Sequence, residues 1–484
     1  MGRFRGSMWG VGRTVAVAAA LACAMPVLEA RTASAESLRE ALAAAYRYNP
    51  RLDAERARLR AADEEVARAN SGYRPQIFGQ ADYGFQNQNL RPDSLVEGKT
   101  NARGYGINLT QNLFNGFQTT NAVKEAEAGV RAGRERLRDV ESEVLLEAVS
   151  AYMDVVRDQA IVRLQENNVG VLTRELKATQ DRFGVGEVTR TDVAQAQARR
   201  AGAVSQLDAA RANLKTSRAV FKRVVGHEPE RLAEPGVPTR LLPPNVEAAL
   251  GIGEQESPSV IEALYREQGA RHTVDRIRGE LLPDLELDAT YASRYDPTRV
   301  IEQNETTTVA GRLTVPIYQG GEVEARVRQA KHNHVSLLQD IERARTEVRQ
   351  EITRFWSRYE ASRAQLESDK VQVGANQTAL DGVRQEEKVG QRTLLDVLNA
   401  ELELVTSQVQ LERTRRDLVV NAYSVLAVMG RLDSQHLGTV AEVYDPVAHY
   451  EEVRDKWWGL SITHEDGRRE YLDLTPEGRG RSSK

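Results

Sequence analysis

What most limits the folds open to this chain is that its design is written twice. At an offset of 208 residues Ala41-Leu42 matches Ala249-Leu250, Pro50 matches Pro258, Pro75 matches Pro283, and Ala81 and Tyr83 match Ala289 and Tyr291. Beyond residue 100 the offset is 204. There Leu109-Thr110 matches Leu313-Thr314, Gly116 matches Gly320, Val185-Gly186 matches Val389-Gly390, and Thr189, Asp192-Val193 and Ala196 match Thr393, Asp396-Val397 and Ala400. A period this long is not that of a solenoid or a propeller, so a whole fold has been duplicated once. The four-residue slip falls between residues 84 and 108, as expected of an exposed loop, where a change of length costs little. The first repeat is expected over 36–230 and the second over 245–431, with a linker at 231–244.

Each half reads as helix, two short strands, long helix, tight turn, helix. From Gln118 to about Asp181 no proline interrupts a run rich in Ala, Glu, Arg, Leu and Gln, with Val144, Leu145, Val149, Tyr152, Val155 and Val156 at helical spacing. At 1.5 Å per residue such a helix is about 95 Å long. The second half repeats it from Glu322 to about Glu387. Flanking helices are expected over 36–70, 191–225, 245–279 and 393–430, and two of these end to end match one long helix. The expectation is a set of continuous pillars, each a long helix beside two stacked short ones. Aromatic residues make up only 6% of the chain, so the apolar stripes must meet other helices rather than a bulky globular core.

The strands, expected at about 76–88, 103–114, 284–296 and 305–318, alternate at period two. In the first, Ile77, Gly79, Ala81, Tyr83 and Phe85 share one face while Gln76, Gln80, Asp82 and Gln86 share the other. The third sets Leu285, Leu287, Ala289, Tyr291 and Tyr295 against Glu286, Asp288, Thr290 and Arg294. The second offers Tyr105, Ile107 and Leu109, and the fourth Val309, Leu313, Val315 and Ile317. Each is long enough to cross an outer membrane as a tilted strand, one face for lipid and one for a lumen. Four strands cannot close a barrel, and an open edge in lipid is prohibitively costly. Closure must come from other copies. Small soluble sheets with one wet face would show the same alternation; two hairpins at equivalent repeat positions in an exported chain favour the barrel.

Export is read from the first 35 residues: Arg3, Arg5 and Arg13, an apolar stretch from Val15 to Ala24, and Ala33-Ser34-Ala35 as a cleavage site. The only cysteine, Cys23, follows Leu21-Ala22 and leaves a lipoprotein signal as an alternative, although Ala20 stands where a larger aliphatic residue is preferred. The formal charge is −4, and removing the basic leader makes the remainder more acidic, which argues against a nucleic-acid partner. No catalytic, metal or cofactor site is expected. His332 and His334 lie two apart on a predicted helix and point to different faces, and Gly251-Ile-Gly253 lacks both a preceding strand and a phosphate-binding lysine.

In this order and duplicated, several short motifs make residues 36–430 resemble the TolC-like outer-membrane efflux and type I secretion channels. They are Asn49-Pro50, Gly72-Tyr-Arg-Pro75, Leu109-Thr-Gln-Asn-Leu-Phe-Asn-Gly116 and Leu313-Thr-Val-Pro-Ile-Tyr-Gln-Gly320, with the two turn segments Val185–Val193 and Val389–Val397. The resemblance implies an α+β membrane protein: a homotrimer with a twelve-stranded outer-membrane β-barrel, four strands from each chain, continued by a periplasmic α-helical tube. Its implied partners are a periplasmic adaptor and an inner-membrane ABC or proton-driven transporter, with the exported substrate and outer-membrane lipid. Adaptor contact is implied at Val185, Gly186, Val389 and Gly390. A periplasmic gate is implied near the second turn, where Asp396 supplies an acidic ring and Arg392 tethers the neighbouring coil at Thr191 or Asp192. Two positions depart from the family pattern: Asn399 stands where a second ring aspartate is common, and Glu387 where an aromatic tether is found. A Glu387 to Arg392 pair is the expected substitute restraint.

The same residues have plain readings as well. Thr189 with Asp192, and Thr393 with Asp396, have the spacing of a helix capping box, and glycine at 186 and 390 permits the left-handed backbone of a helix-to-helix turn. The first turn's Gly-Glu-Val-Thr-Arg-Thr-Asp-Val leans toward type I protein secretion over small-molecule efflux. The rival from another class is a soluble periplasmic coiled-coil scaffold. An adaptor fits less well, since the repeat is whole and the strands sit opposite the helical turn. The C-terminal extension, 432–484, carries Tyr444, Tyr450, Trp457, Trp458 and Tyr471; it is expected to pack around the tube's waist, with a disordered polar end after Thr475.

Overall fold

The computed structural model describes residues 35–89, 96–440, 443–463 and 469–470. The expected leader (Ala35 apart), Cys23, Tyr471 and the polar end after Thr475 lie outside the described residues.

The first repeat runs α1 (Leu38–Tyr48), α2 (Pro50–Asn70), β1 (Gln76–Gln88), β2 (Gly98–Asn115), α3 (Gln118–Gly184) and α4 (Arg190–Val225). The second runs α5 (Val246–Glu256), α6 (Pro258–Gly279), β3 (Asp284–Thr298), β4 (Ile301–Thr314), α7 (Glu322–Lys388) and α8 (Leu394–Val428). Beyond them lie α9 (Ser434–Leu437), α10 (Ala448–Val453) and a small pair, β5 (Ile462–Thr463) and β6 (Arg469–Glu470). Both long helices have 67 residues, about 100 Å at the α-helical rise.

The helices expected as single rods over 36–70 and 245–279 are each two helices. Pro50 and Pro258 cannot donate the interior helical hydrogen bond and instead occupy first-turn positions of new helices. Asn49 Oδ1 accepts from the Arg51 N–H at 2.9 Å, while its Nδ2 donates to the Val224 carbonyl at 3.2 Å. That second bond joins the base of α2 to the end of α4, making two short helices one stacked pillar beside α3.

Most of the core lies at this waist, where α1, α5 and the ends of α4 and α8 gather on α3 and α7. Leu42, Leu52, Leu145, Tyr152, Phe221, Ile352, Leu426 and Met429 are fully buried there. Each apolar side chain of this kind contributes roughly 1.5–3 kcal/mol. The Tyr152 hydroxyl lies 2.7 Å from the Glu36 carbonyl and 2.6 Å from that of Ala233, so it pins the start of the first repeat to the linker. Toward the turns the core thins to small clusters such as Leu172, Ala196, Ala203, Leu394 and Leu398. Stability is therefore concentrated at the waist, and the turn ends are held by few contacts.

The four long strands form one antiparallel sheet in the order β1-β2-β3-β4, so β1 and β4 are its edges. Ile77, Leu109, Ala289 and Val309 face one another in one row, and Gly79, Ile107, Tyr291 and Thr307 in the next. Residues directly opposite share a face, so the apolar faces of all four strands coincide. The other face carries Arg294 3.7 Å from Asp82 and Arg312 3.5 Å from Asp288. Three strands differ in extent from expectation: β2 begins at Gly98 rather than about 103, β3 runs on to Thr298, and β4 runs from Ile301 to Thr314 rather than from about 305 to 318. Pro316 cannot donate to a ladder, which leaves Val315 and Ile317 outside the sheet. No described helix is long and apolar enough to cross a membrane.

The two repeats cross just beneath the sheet. Gly116 (φ +63°) precedes Phe117, itself left-handed at φ +63°, and a Cβ on Gly116 would overlap the Gly279 carbonyl oxygen. A Cβ on Gly279 would likewise overlap the Gly116 oxygen.

The C-terminal extension departs from expectation. Tyr444 and Tyr450 do pack at the waist, Tyr444 against the guanidinium of Arg56 and Tyr450 against that of Arg134. From there the chain climbs parallel to α2, and Trp457 and Trp458 arrive at the base of β1 instead. The climb is fixed by His449 Nδ1 3.0 Å from Asp63 Oδ2, Asn70 Nδ2 donating to the Arg454 carbonyl at 3.1 Å, and Arg74 Nη1 donating to the Lys456 carbonyl at 2.6 Å.

Candidate functional site at the helical turns

The α3–α4 and α7–α8 turns are built alike. At the first, Gly186 (φ +83°) donates to the Phe183 carbonyl at 3.0 Å and Glu187 to the Arg182 carbonyl at 3.0 Å. At the second, Gly390 (φ +77°) donates to Glu387 at 2.9 Å and Gln391 to Glu386 at 2.9 Å. This is the bond pair of a Schellman helix end, and glycine is there for its backbone conformation, since a Cβ on either would meet nothing within 4 Å. The preceding Val185 and Val389 are 74% and 71% exposed, an apolar residue held outward on each turn.

Both following helices open with a capping box. Thr189 N donates to Asp192 Oδ2 at 2.8 Å while Thr189 Oγ1 accepts from Asp192 N at 3.3 Å; Thr393 and Asp396 repeat it at 2.9 and 3.3 Å. The threonine N–H and hydroxyl hold both aspartates below the usual carboxylate range, so both are ionised at neutral pH. Asp192 and Asp396 thus close their own helix ends, whatever else they do.

The expected Glu387–Arg392 pair is not formed. Arg392 Nε donates to Glu386 Oε2 at 2.9 Å, and Glu387 Oε1 instead accepts from Arg182 Nη1 at 2.7 Å. The reason is helical phase: the turn swings Arg392 back over Glu386, whereas Glu387 points across to α3. Within the chain Arg392 does not reach Thr191 or Asp192. Asn399 Oδ1 accepts from Arg199 at 2.6 Å, so α4 is tied to α8 as α3 is tied to α7. Both ties join the first repeat to the second. Neither Arg182 nor Arg199 is marked by the sequence, because their partners lie 205 and 200 residues away.

Behind these ties sits an acidic cluster. Arg384 Nη2 donates to Glu401 Oε1 at 2.7 Å, while Glu401 Oε2 is buried without a hydrogen-bond partner. Burial first, then the carboxylates of Glu401 and Glu387, lift the Glu175 carboxyl above its usual range, against the pull of Arg384 and Arg182. A carboxyl raised in the folded state costs least below its unfolded value near 4.5 and costs more as pH rises through the folded one. Glu175→Gln is therefore expected to melt like the unaltered protein at pH 4 and slightly higher at pH 7. The gain is under about 1 kcal/mol because the site is half exposed and screened. Paired melting curves at the two pH values check it.

A model of the outer membrane efflux protein family matches residues 40–227 and 252–431, which together span both repeats. The chain belongs to that family. The efflux-family fold, a helical tube joined to a barrel to which the chain contributes four strands, is the one described above. Among relatives, the outer membrane efflux protein BepC of Brucella suis is 39% identical over 460 residues, covering 93% of this chain and 97% of BepC. The outer membrane protein TolC of Escherichia coli is 26% identical over 422 residues, 83% of this chain and 84% of TolC. The alkaline protease secretion protein AprF of Pseudomonas aeruginosa is 26% identical over 342 residues, 69% of this chain and 71% of AprF. In structure, the outer membrane protein VceC of Vibrio cholerae superposes with a TM-score of 0.70 at 18% identity, over 81% of this chain and 96% of VceC. The efflux family is one of outer-membrane ducts.

Proposed function

We propose that the chain is the exit duct of a tripartite export system: a homotrimer whose twelve strands close one barrel in the outer membrane and whose helices form a periplasmic tube. The observation that carries this reading is the open four-stranded sheet. Its edges, β1 and β4, are 13 and 14 residues long. Edges of that length with an apolar face are tenable in lipid only when paired. In this reading a periplasmic adaptor docks at Val185-Gly186 and Val389-Gly390, and an inner-membrane ABC or proton-driven transporter supplies substrate. The gate lies at the turn ends: Asp396 and Asn399 ring the axis, and Arg392 leaves Glu386 to tether the neighbouring coil at Thr191 or Asp192. A leader cleaved after Ala35 delivers the chain through the periplasm.

For cargo, we propose type I protein secretion, supported by the wording of the first turn and the likeness to AprF. Small-molecule efflux is the second reading, favoured by the higher identity to BepC. Deleting the gene and comparing secreted proteins with drug accumulation separates the two.

The duct itself is tested by native mass and single-channel conductance of the detergent-extracted protein in a planar bilayer. A trimer with discrete conducting steps is the expected result. A water-soluble, non-conducting oligomer would return the chain to the coiled-coil scaffold.

A further inference from the structure

The C-terminal extension ends its climb in a small closed loop. Lys456 Nζ donates to the Ser461 carbonyl at 3.1 Å, and Gly459 turns the chain at φ +117°. The loop is fastened to the last residues before the barrel. The Arg74 guanidinium lies 4.8 Å from the centre of the Trp457 ring, Arg74 also donates to the Lys456 carbonyl, and β1 begins two residues later at Gln76. Held this way, Trp457, Trp458 and Leu460 project outward, 68%, 91% and 88% exposed. Nothing in the family match accounts for them, since that match stops at residue 431.

We propose that this loop is an interfacial anchor, with Trp457, Trp458 and Leu460 seated in the headgroup region of the outer membrane's periplasmic leaflet. The proposal rests on the barrel reading, which sets where lipid begins. Three features select a phospholipid surface as the occupant. The loop is fastened to Arg74, three residues before Ile77 opens the apolar strand face, so it adjoins the end of the band read as membrane-facing. An indole has an apolar body and a polar N–H, and tryptophan concentrates where hydrocarbon meets water. Arg74 lies against the Trp457 ring and Lys456 is next to it in the chain, cations of the kind that meet lipid phosphate. A chain anchored only through its barrel would have no use for a dozen residues laid along α2 to deliver two tryptophans to this level.

The test uses the full-length protein in phospholipid nanodiscs and subtracts the emission of Trp457→Phe/Trp458→Phe from that of the unaltered protein, isolating the pair. Three quenchers are compared: a nitroxide on the lipid headgroup, bromine near the acyl chain end, and aqueous iodide. The expected result is loss of most of the difference emission to the headgroup nitroxide and little to the other two. Quenching by iodide alone would place the loop in water, and protection from all three would place it under protein, including a second copy; either overturns the anchor. A tryptophan introduced as Ile107→Trp in the double-Phe background reports on the barrel separately. If it is quenched by lipid while the Trp457–Trp458 pair is not, the barrel stands and the anchor fails. If it too is quenched only by iodide, the barrel reading fails with it.

Discussion

Gly116→Ala is expected to cost about 3 kcal/mol and to deplete heat-stable oligomer from the outer membrane, adding left-handed strain of about 1–2 kcal/mol to overpacking of about 1–3 kcal/mol. Both arise at one point. Gly116 holds a positive φ, and its added methyl would meet the Gly279 backbone oxygen, which no side-chain rotation can move aside. The crossing is where one hairpin returns to the tube and the other leaves it, so a shift there tilts all four strands. Gly186→Ala is the control: it has the same left-handed backbone with open space around it, and about 1–2 kcal/mol of strain alone is expected. Equal losses in the two variants, by melting and by the yield of folded oligomer, would show that the crossing is not tight.

Arg182→Glu is expected to raise the open-to-closed ratio of the channel roughly tenfold. The substitution removes the Arg182–Glu387 pair and places a new carboxylate beside Glu387 and Glu187. A partly exposed pair is worth up to about 1 kcal/mol, and reversal adds like-charge repulsion; about 1.4 kcal/mol in all is a factor of ten. The effect should be visible because the apolar clusters near the turns are small, leaving polar ties a large share of what joins α3–α4 to α7–α8. The exchange variant Arg182→Glu/Glu387→Arg should restore the original conductance. Unchanged single-channel records for Arg182→Glu would remove this pair from any gating role.

How far the sequence carried the reading depends on the reach of each interaction. The duplication, the strand faces and the capping boxes are local patterns, and they reappear as the α3 and α7 rods, the aligned rows of the sheet and the Thr189–Asp192 and Thr393–Asp396 bonds. The breaks at Pro50 and Pro258 were also local, but a proline in a run of helix formers can either kink a helix or start a new one, and only the first break is marked by a side-chain cap, from Asn49. Arg182–Glu387 and Arg199–Asn399 could not have been found this way. They depend on how two coils lie side by side, and an arginine on a helix rich in arginine carries no mark. The path of the extension was illegible for the same reason: its partners Arg56, Asp63, Asn70 and Arg74 lie near the opposite end of the chain.

The seam between β2 and β3 also carries information about a junction it does not touch. Because β1 and β2 are repeated as β3 and β4, the contact between hairpins inside one chain is the pattern for the contact between copies. Tyr105 faces Ser293 within the chain; moved by the repeat offsets of 204 and 208 residues, that pair becomes Val309 facing Phe85 of the next copy. In the proposed trimer, cysteines at 309 and 85 should therefore link three chains into one covalent ring, while cysteines one residue out of register should not. On this view the molecule behaves as a ring of six near-equivalent hairpins, in which three of the six joints are β2–β3 seams formed inside one chain and three are made by assembly.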